Sequence, residues 1–131
     1  MGGGVPYTRF VEQRTILIGE DDEFLLQFIR VAFTMEGFRV EVARNGPAAL
    51  ALAKGGLDAA LLDVCLPGSS GRDVLRALRD HEATRDLPVA LMSGCDAASG
   101  LDGAQAFVRK PFTMASVIDT MKGLSAMRLR A

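Results

Sequence analysis

Two hydrophobic periods alternate along the chain. Thr15-Ile-Leu-Ile is a short β-branched run that stops at Gly19-Glu20-Asp21-Asp22, the pattern of a buried strand running into an acidic loop. From Glu23 the period becomes helical, with Leu25, Phe28, Ile29, Ala32 and Phe33 predicted on the core face and Gly37 as the stop. Arg39-Val-Glu-Val-Ala alternates strictly, as a strand should, and Asn45-Gly46-Pro47 supplies a turn with proline early in the next helix. That helix is predicted to reach Lys54 and end at Gly55-Gly56. Ala59-Ala-Leu-Leu is evenly apolar, which suits a strand covered on both faces, and it ends abruptly at Asp63. A loop holding Pro67 and Gly68 follows. Val74, Leu75 and Leu78 mark a third helix, Val89-Ala-Leu-Met a fourth strand and Ala106-Phe-Val a fifth. A final helix places Met114, Val117, Ile118 and Met121 on one face, with Thr113 as its cap.

Strands alternating with helices at this rhythm imply right-handed βαβ units and an open parallel sheet with helices on both faces. Ligands of such sheets bind beyond the carboxyl ends of the strands. The rule selects residues: Glu20, Asp21 and Asp22 follow strand 1, Asp63 ends strand 3, Ser93 ends strand 4, and Lys110-Pro111 ends strand 5. With 131 residues, 49% of them hydrophobic and 24% charged, the chain is the size of one ordinary domain, which needs no disulfide or structural metal to fold. The expected organisation is a loose arm over residues 1–13, one domain over 14–124, and a helix end or tail over 125–131.

Charge and composition narrow the function. Fifteen basic against sixteen acidic residues give a net charge of −1, which argues against a generic grip on nucleic acid or an anionic membrane. No apolar run approaches a membrane span and no secretion signal opens the chain, so a cytoplasmic location is expected. Cys65 and Cys95 are too few for a disulfide framework and are expected as reduced thiols. Three carboxylates meeting at one rim repel one another and call for a cation. Oxygen-only ligands suit a hard divalent ion, Mg²⁺ in particular. Lys110 adds a point charge and Ser93 a hydroxyl donor, so the set could stabilise a transferring phosphoryl group, with Asp63 as the nucleophile that becomes an aspartyl phosphate.

In these motifs, Ile-Leu-Ile-Gly-Glu20-Asp21-Asp22, Leu61-Leu-Asp63-Val-Cys-Leu-Pro67-Gly68, Leu91-Met-Ser93-Gly94 and Phe107-Val-Arg-Lys110-Pro111-Phe112, the chain resembles a bacterial response-regulator receiver domain of two-component signalling. Each motif is weak alone, and together, in order and at strand ends, they are highly specific. The resemblance spans about residues 14 to 124. It implies a flavodoxin-like (βα)5 fold with a doubly wound parallel five-stranded sheet in the order 2-1-3-4-5. It also implies roles: Asp63 as phosphoacceptor, Asp21 as direct metal ligand, Glu20 as a ligand through water, and the Cys65 carbonyl as the third protein ligand. Ser93 and Phe107 match the switch pair, Lys110 the phosphate-pairing lysine, and Lys110-Pro111 a bond that is cis in the family. The implied cofactor is Mg²⁺ and the implied partner a histidine kinase or histidine phosphotransfer protein, with an unnamed downstream protein partner. On this reading the chain is no enzyme beyond its own phosphorylation and dephosphorylation.

Several positions depart from the family pattern. Glu20 replaces the commoner Asp, and Phe107 lacks a ring hydroxyl, so an inward rotamer could pack without hydrogen bonding. The interval from Ser93 to Lys110 is short and rich in Gly and Ala, so helix 4 is expected to be short or absent, as in receivers often fused to hybrid histidine kinases. Phosphorylation is therefore not expected to drive dimerisation through that face; helix 1 or the loop after Asp63 is the expected contact. One alternative is a receiver fragment of a hybrid histidine kinase. A more distant one is an aspartate-nucleophile phosphatase of the haloacid dehalogenase type, which places its nucleophile after strand 1 with a second acid two residues on, a pattern Asp21-Asp22-Glu23 breaks. A flavin carrier on the same fold would need backbone donors where this first loop is acidic. His81, in a polar run, is expected to be exposed and outside the chemistry.

Overall fold

The structure, a computed structural model, describes residues 13–94 and 103–130, with the side chains of 128–130 excepted. The expected N-terminal arm, the shortened fourth helix and Cys95, with any pairing it might make, lie outside the described residues. Among the described residues nine elements follow one another: β1 (Thr15–Gly19), α1 (Glu23–Met35), β2 (Arg39–Ala43), α2 (Gly46–Ala53), β3 (Ala59–Asp63), α3 (Gly71–Asp80), β4 (Val89–Ser93), β5 (Ala106–Arg109) and α4 (Met114–Arg130). The five strands form one sheet in the order β2-β1-β3-β4-β5, and every pairing is parallel.

Capping residues fix where the helices begin. Asp22 accepts from the Leu25 amide at 3.2 Å, Asn45 from Ala48 at 2.8 Å, Ser70 from Asp73 at 3.1 Å and Thr113 from Ser116 at 3.2 Å, each satisfying a donor that the first helical turn leaves open. Pro47 occupies the first turn of α2, and Gly37 takes φ +98° just beyond α1, where a residue with a Cβ would be strained.

Two cores flank the sheet. On one face Leu17, Leu62 and Leu91 pack against Ala49 and Ala53 of α2 and Val74, Leu75 and Leu78 of α3. On the other, Ile16, Ile18, Leu61 and Met92 pack against Leu26, Ile29 and Phe33 of α1 and Val117, Met121 and Leu124 of α4. Strands β3 and β4 are buried end to end, as their unbroken apolar runs require.

The α1 reading needs correction. Its core face is Leu26, Ile29 and Phe33, whereas Phe28, placed in the core from its spacing, points to solvent along with Phe24, Val31 and Met35. At 100° per residue Phe28 lies about 100° from Ile29 and cannot share its face. The final helix continues past 124 to Arg130. No helix among the described residues is long and apolar enough to cross a membrane.

Candidate functional site

Register alone brings the acidic residues together. Gly19 pairs with Leu62 across β1 and β3, and Asp63 pairs with Met92 across β3 and β4, so Glu20, Asp63 and Ser93 leave the sheet at one level. Backbone hydrogen bonds continue the ladder past the strand ends: Glu20 N–H to the Ala43 carbonyl at 3.0 Å, Val64 N–H to Met92 at 2.9 Å, and Lys110 N–H to Ser93 at 2.9 Å. These bonds fix the first atoms of each loop, and with them the side chains that carry the chemistry. The Lys110–Pro111 peptide bond is cis.

One ammonium ties the site. Lys110 Nζ donates to Asp63 Oδ2 at 2.7 Å and to Glu20 Oε1 at 2.8 Å. The remaining oxygens are held by main chain, Asp63 Oδ1 by the Cys65 amide at 2.9 Å and Glu20 Oε2 by the Asp22 amide at 2.9 Å. Glu20 is 1% and Asp63 5% exposed, while Asp21 stands open at the mouth. Carboxylate oxygens of Glu20, Asp21 and Asp63 all come within 4.8 Å of one another.

The charges do not balance, and the titration of the two buried partners reflects it. Burial raises the Glu20 carboxyl above the ordinary range, helped by the like charge of Asp63, and the hydrogen bonds from Lys110 and the Asp22 amide recover only part of this. Burial opposes the charge on Lys110 as well, yet hydrogen bonds to Asp63 and Glu20 outweigh it, and its pKa is raised. A single cation shared by two carboxylates with a third beside them leaves excess negative charge in a poorly hydrated place. Such an all-oxygen donor set fits a hard divalent cation.

Ser93 is buried at the end of β4. Phe107, half-buried on β5, packs against the α2/α3 core, and the Arg72 guanidinium carbon lies 6.0 Å from its ring centroid. The Cys65 side chain is exposed and its thiol is free. His81 is exposed, and its Nδ1 accepts from the Ala83 amide at 3.3 Å, outside the site.

Two glycines, which the sequence marks as no more than turn or helix-start residues, frame the site. The Gly71 amide donates to the Val64 carbonyl at 2.9 Å, and a Cβ there would overlap the Asp63 carbonyl oxygen. The Gly46 amide donates to the Pro67 carbonyl at 2.9 Å, and a Cβ there would overlap the Ser69 carbonyl oxygen. The starts of α2 and α3 thus clamp the loop that follows Asp63 from both sides. Their only sequence signal is a glycine at a helix start, which is too common to single out.

The family model for the response regulator receiver domain matches residues 16–122, nearly all of the described fold and every position of the site. The chain belongs to the response regulator receiver domain family. It is 39% identical over 114 residues, 82% of this chain and 49% of the relative, to an uncharacterized transcriptional regulatory protein, YkoG, of Bacillus subtilis. Among solved structures it resembles the Francisella response regulator 1452 receiver domain, with TM-score 0.81, 26% identity, and coverage of 88% of this chain and 98% of that one. It also resembles the receiver domain of the sensor histidine kinase PA1611 of Pseudomonas aeruginosa, whose structure has a magnesium ion coordinated in the active-site cleft, with TM-score 0.80, 25% identity, and coverage of 87% and 98%. The chain spans about half or less of the length of the curated relatives it matches. As a receiver it is a signalling domain of two-component systems, and its acidic cluster suits the magnesium site that such domains display.

Proposed function

We propose that this receiver is a phosphoryl-accepting switch with Asp63 as acceptor. The reading rests on one observation: Lys110 Nζ spans Asp63 and Glu20 at 2.7 and 2.8 Å inside a cluster of three carboxylates. A carboxylate so placed has its charge held in position and its approach from solvent open at Asp21.

With phosphohistidine of a histidine kinase or phosphotransfer protein as donor, an Asp63 carboxylate oxygen attacks phosphorus. The P–O bond forms as the P–N bond breaks, and the leaving imidazole takes up a proton. Lys110 pairs with an equatorial phosphoryl oxygen as charge moves off the Asp63 carboxylate. Ser93, ending the neighbouring strand, offers its hydroxyl to another phosphoryl oxygen, and Phe107 responds to that movement from β5. Asp21, Asp63 and the Cys65 carbonyl would hold a Mg²⁺ ion, with Glu20 supporting it through water. When bound, the ion neutralises the carboxylates and the phosphoryl oxygens. Output is altered contact with a protein partner. The same chemistry serves a free-standing response regulator and a receiver joined to a sensor kinase, and the resemblance to the PA1611 receiver supports the second setting. A cytoplasmic location goes with a kinase donor.

Intact-protein mass spectrometry with acetyl phosphate and Mg²⁺ tests the assignment. One added phosphoryl group is expected on the native chain and none on Asp63→Asn. A mass increment that survives in the Asn variant would place the phosphoryl group elsewhere.

A further inference from the structure

Helix α1 is apolar on two opposite faces. Leu26, Ile29 and Phe33 lie against the sheet, fully buried. On the far side Phe24, Phe28, Val31 and Met35 are 90%, 62%, 46% and 81% exposed. At 100° per residue these four fall within an arc of about 60°, a straight stripe roughly 16 Å long centred opposite Leu26 and Phe33. Scattered exposed apolar residues are ordinary, whereas a continuous stripe with two phenylalanines is not.

The stripe has a prepared polar border. Arg44 Nε donates to Glu23 Oε1 at 2.7 Å, Gln27 Nε2 to Glu23 Oε2 at 2.9 Å, and Arg30 Nε to Gln27 Oε1 at 2.7 Å. These side chains, which would otherwise lose rotamer freedom on docking, are already tied in one chain along the flank, and this lowers the entropic cost of covering the stripe.

We propose that the outer face of α1 is a self-association surface on which a second copy of this chain docks, helix antiparallel to helix about a two-fold axis. The stripe is self-complementary in that arrangement. An axis passing between Phe28 and Val31 sets Phe28 of one copy against Val31 of the other, and Phe24 against Met35, so bulky and smaller side chains alternate across the seam. Taking about 200 Å² for a large side chain, the exposed fractions leave on the order of 500 Å² of apolar surface per copy. Two copies therefore bury roughly 1,000 Å² before any rim is counted, the area at which specific interfaces begin. A reversible dimer of micromolar affinity is the matching strength.

Sedimentation equilibrium of the full chain over about 5–500 μM, without phosphodonor, tests the proposal. A monomer–dimer equilibrium is expected, weakened at least about 30-fold by Phe28→Glu and similarly by Met35→Glu, with thermal midpoints unchanged because both side chains are exposed. A chain that is monomeric throughout the range would overturn the proposal, as would a dimer that both variants leave intact. Stripe residues that gain protection only when a histidine-bearing phosphodonor protein is added, with the chain alone monomeric, would assign the surface to that partner and overturn the second copy.

Discussion

Gly71 is the position where the fold presses hardest on the proposed acceptor. It opens α3, where alanine is conformationally acceptable, so a substitution there reports on space alone. An added Cβ would overlap the Asp63 carbonyl oxygen, and would lie 2.9 Å from the Asp63 carbonyl carbon and 3.1 Å from Val64 Cα. These are main-chain atoms with no rotamer to yield. Either α3 or the end of β3 must move by on the order of 1 Å, and a misplacement of that size at a reacting group costs roughly 100-fold in rate. The fold loses about 2 kcal/mol by overpacking, and the melting temperature falls by roughly 6–8 °C for a domain of this size. Gly123, in the exposed middle of α4 with nothing within 4 Å of its added Cβ, is the matched control. Gly123→Ala should stabilise the domain by about 0.5–1 kcal/mol and leave the chemistry alone. Time-resolved intact mass with acetyl phosphate, together with calorimetric melting, reads both effects. Gly71→Ala phosphorylating within about twofold of the native chain at an unchanged melting temperature would show that the crowding does not position Asp63.

Two further outcomes follow from the charge arrangement. Lys110→Met leaves Glu20 and Asp63 buried without their shared cation and should cost about 2 kcal/mol in EDTA, with saturating Mg²⁺ restoring more stability to the variant than it adds to the native chain; calorimetry with and without the ion checks this, and equal responses would remove Lys110 from the balance. Asp21→Ala should lower Mg²⁺ affinity about 10-fold or more in a calorimetric titration, because the metal dominates the local charge, while the melting temperature in EDTA holds since Asp21 is exposed.

The rim was legible because parallel topology turns strand ends into addresses. Once Thr15–Ile18, Ala59–Leu62, Val89–Met92 and Ala106–Val108 are read as parallel strands, Glu20, Asp63, Ser93 and Lys110 have to emerge on one edge, and the register places them there. Helix α1 misled for the opposite reason. Apolar residues on two faces leave no single helical phase, and the set Leu25, Phe28, Ile29, Ala32 and Phe33 straddles the inner stripe and the outer one. Only packing against the sheet shows that Leu26 belongs inside and Phe28 outside. Backbone donors were invisible for a different reason. The Cys65 and Asp22 amides that hold Asp63 and Glu20 depend on loop conformation and on no side-chain identity, and the crowding at Gly46 and Gly71 exists only between segments distant in sequence.

The ion pairs at the site are better understood as a resting state than as a source of stability. Taking Glu20 and Asp63 out of water is expensive, and a lysine shared between them offsets only part of that cost. The raised Glu20 pKa shows the offset to be incomplete on its side. What the arrangement supplies is position. Each carboxylate has one oxygen fixed by an amide and the other by the same Nζ, so neither needs to reorganise when a more highly charged group arrives. If Asp63 is the acceptor, as proposed, the Lys110 charge passes from its carboxylate to the phosphoryl oxygens. The hydrogen bond to Glu20 then keeps the ammonium at the rim during that exchange. Replacing Glu20 by a neutral isostere should therefore loosen Lys110 before it affects the acceptor itself, an order of events that ¹⁵N relaxation at the lysine amine and phosphorylation rates can separate. Equal losses in both would mean that Glu20 acts on Asp63 directly.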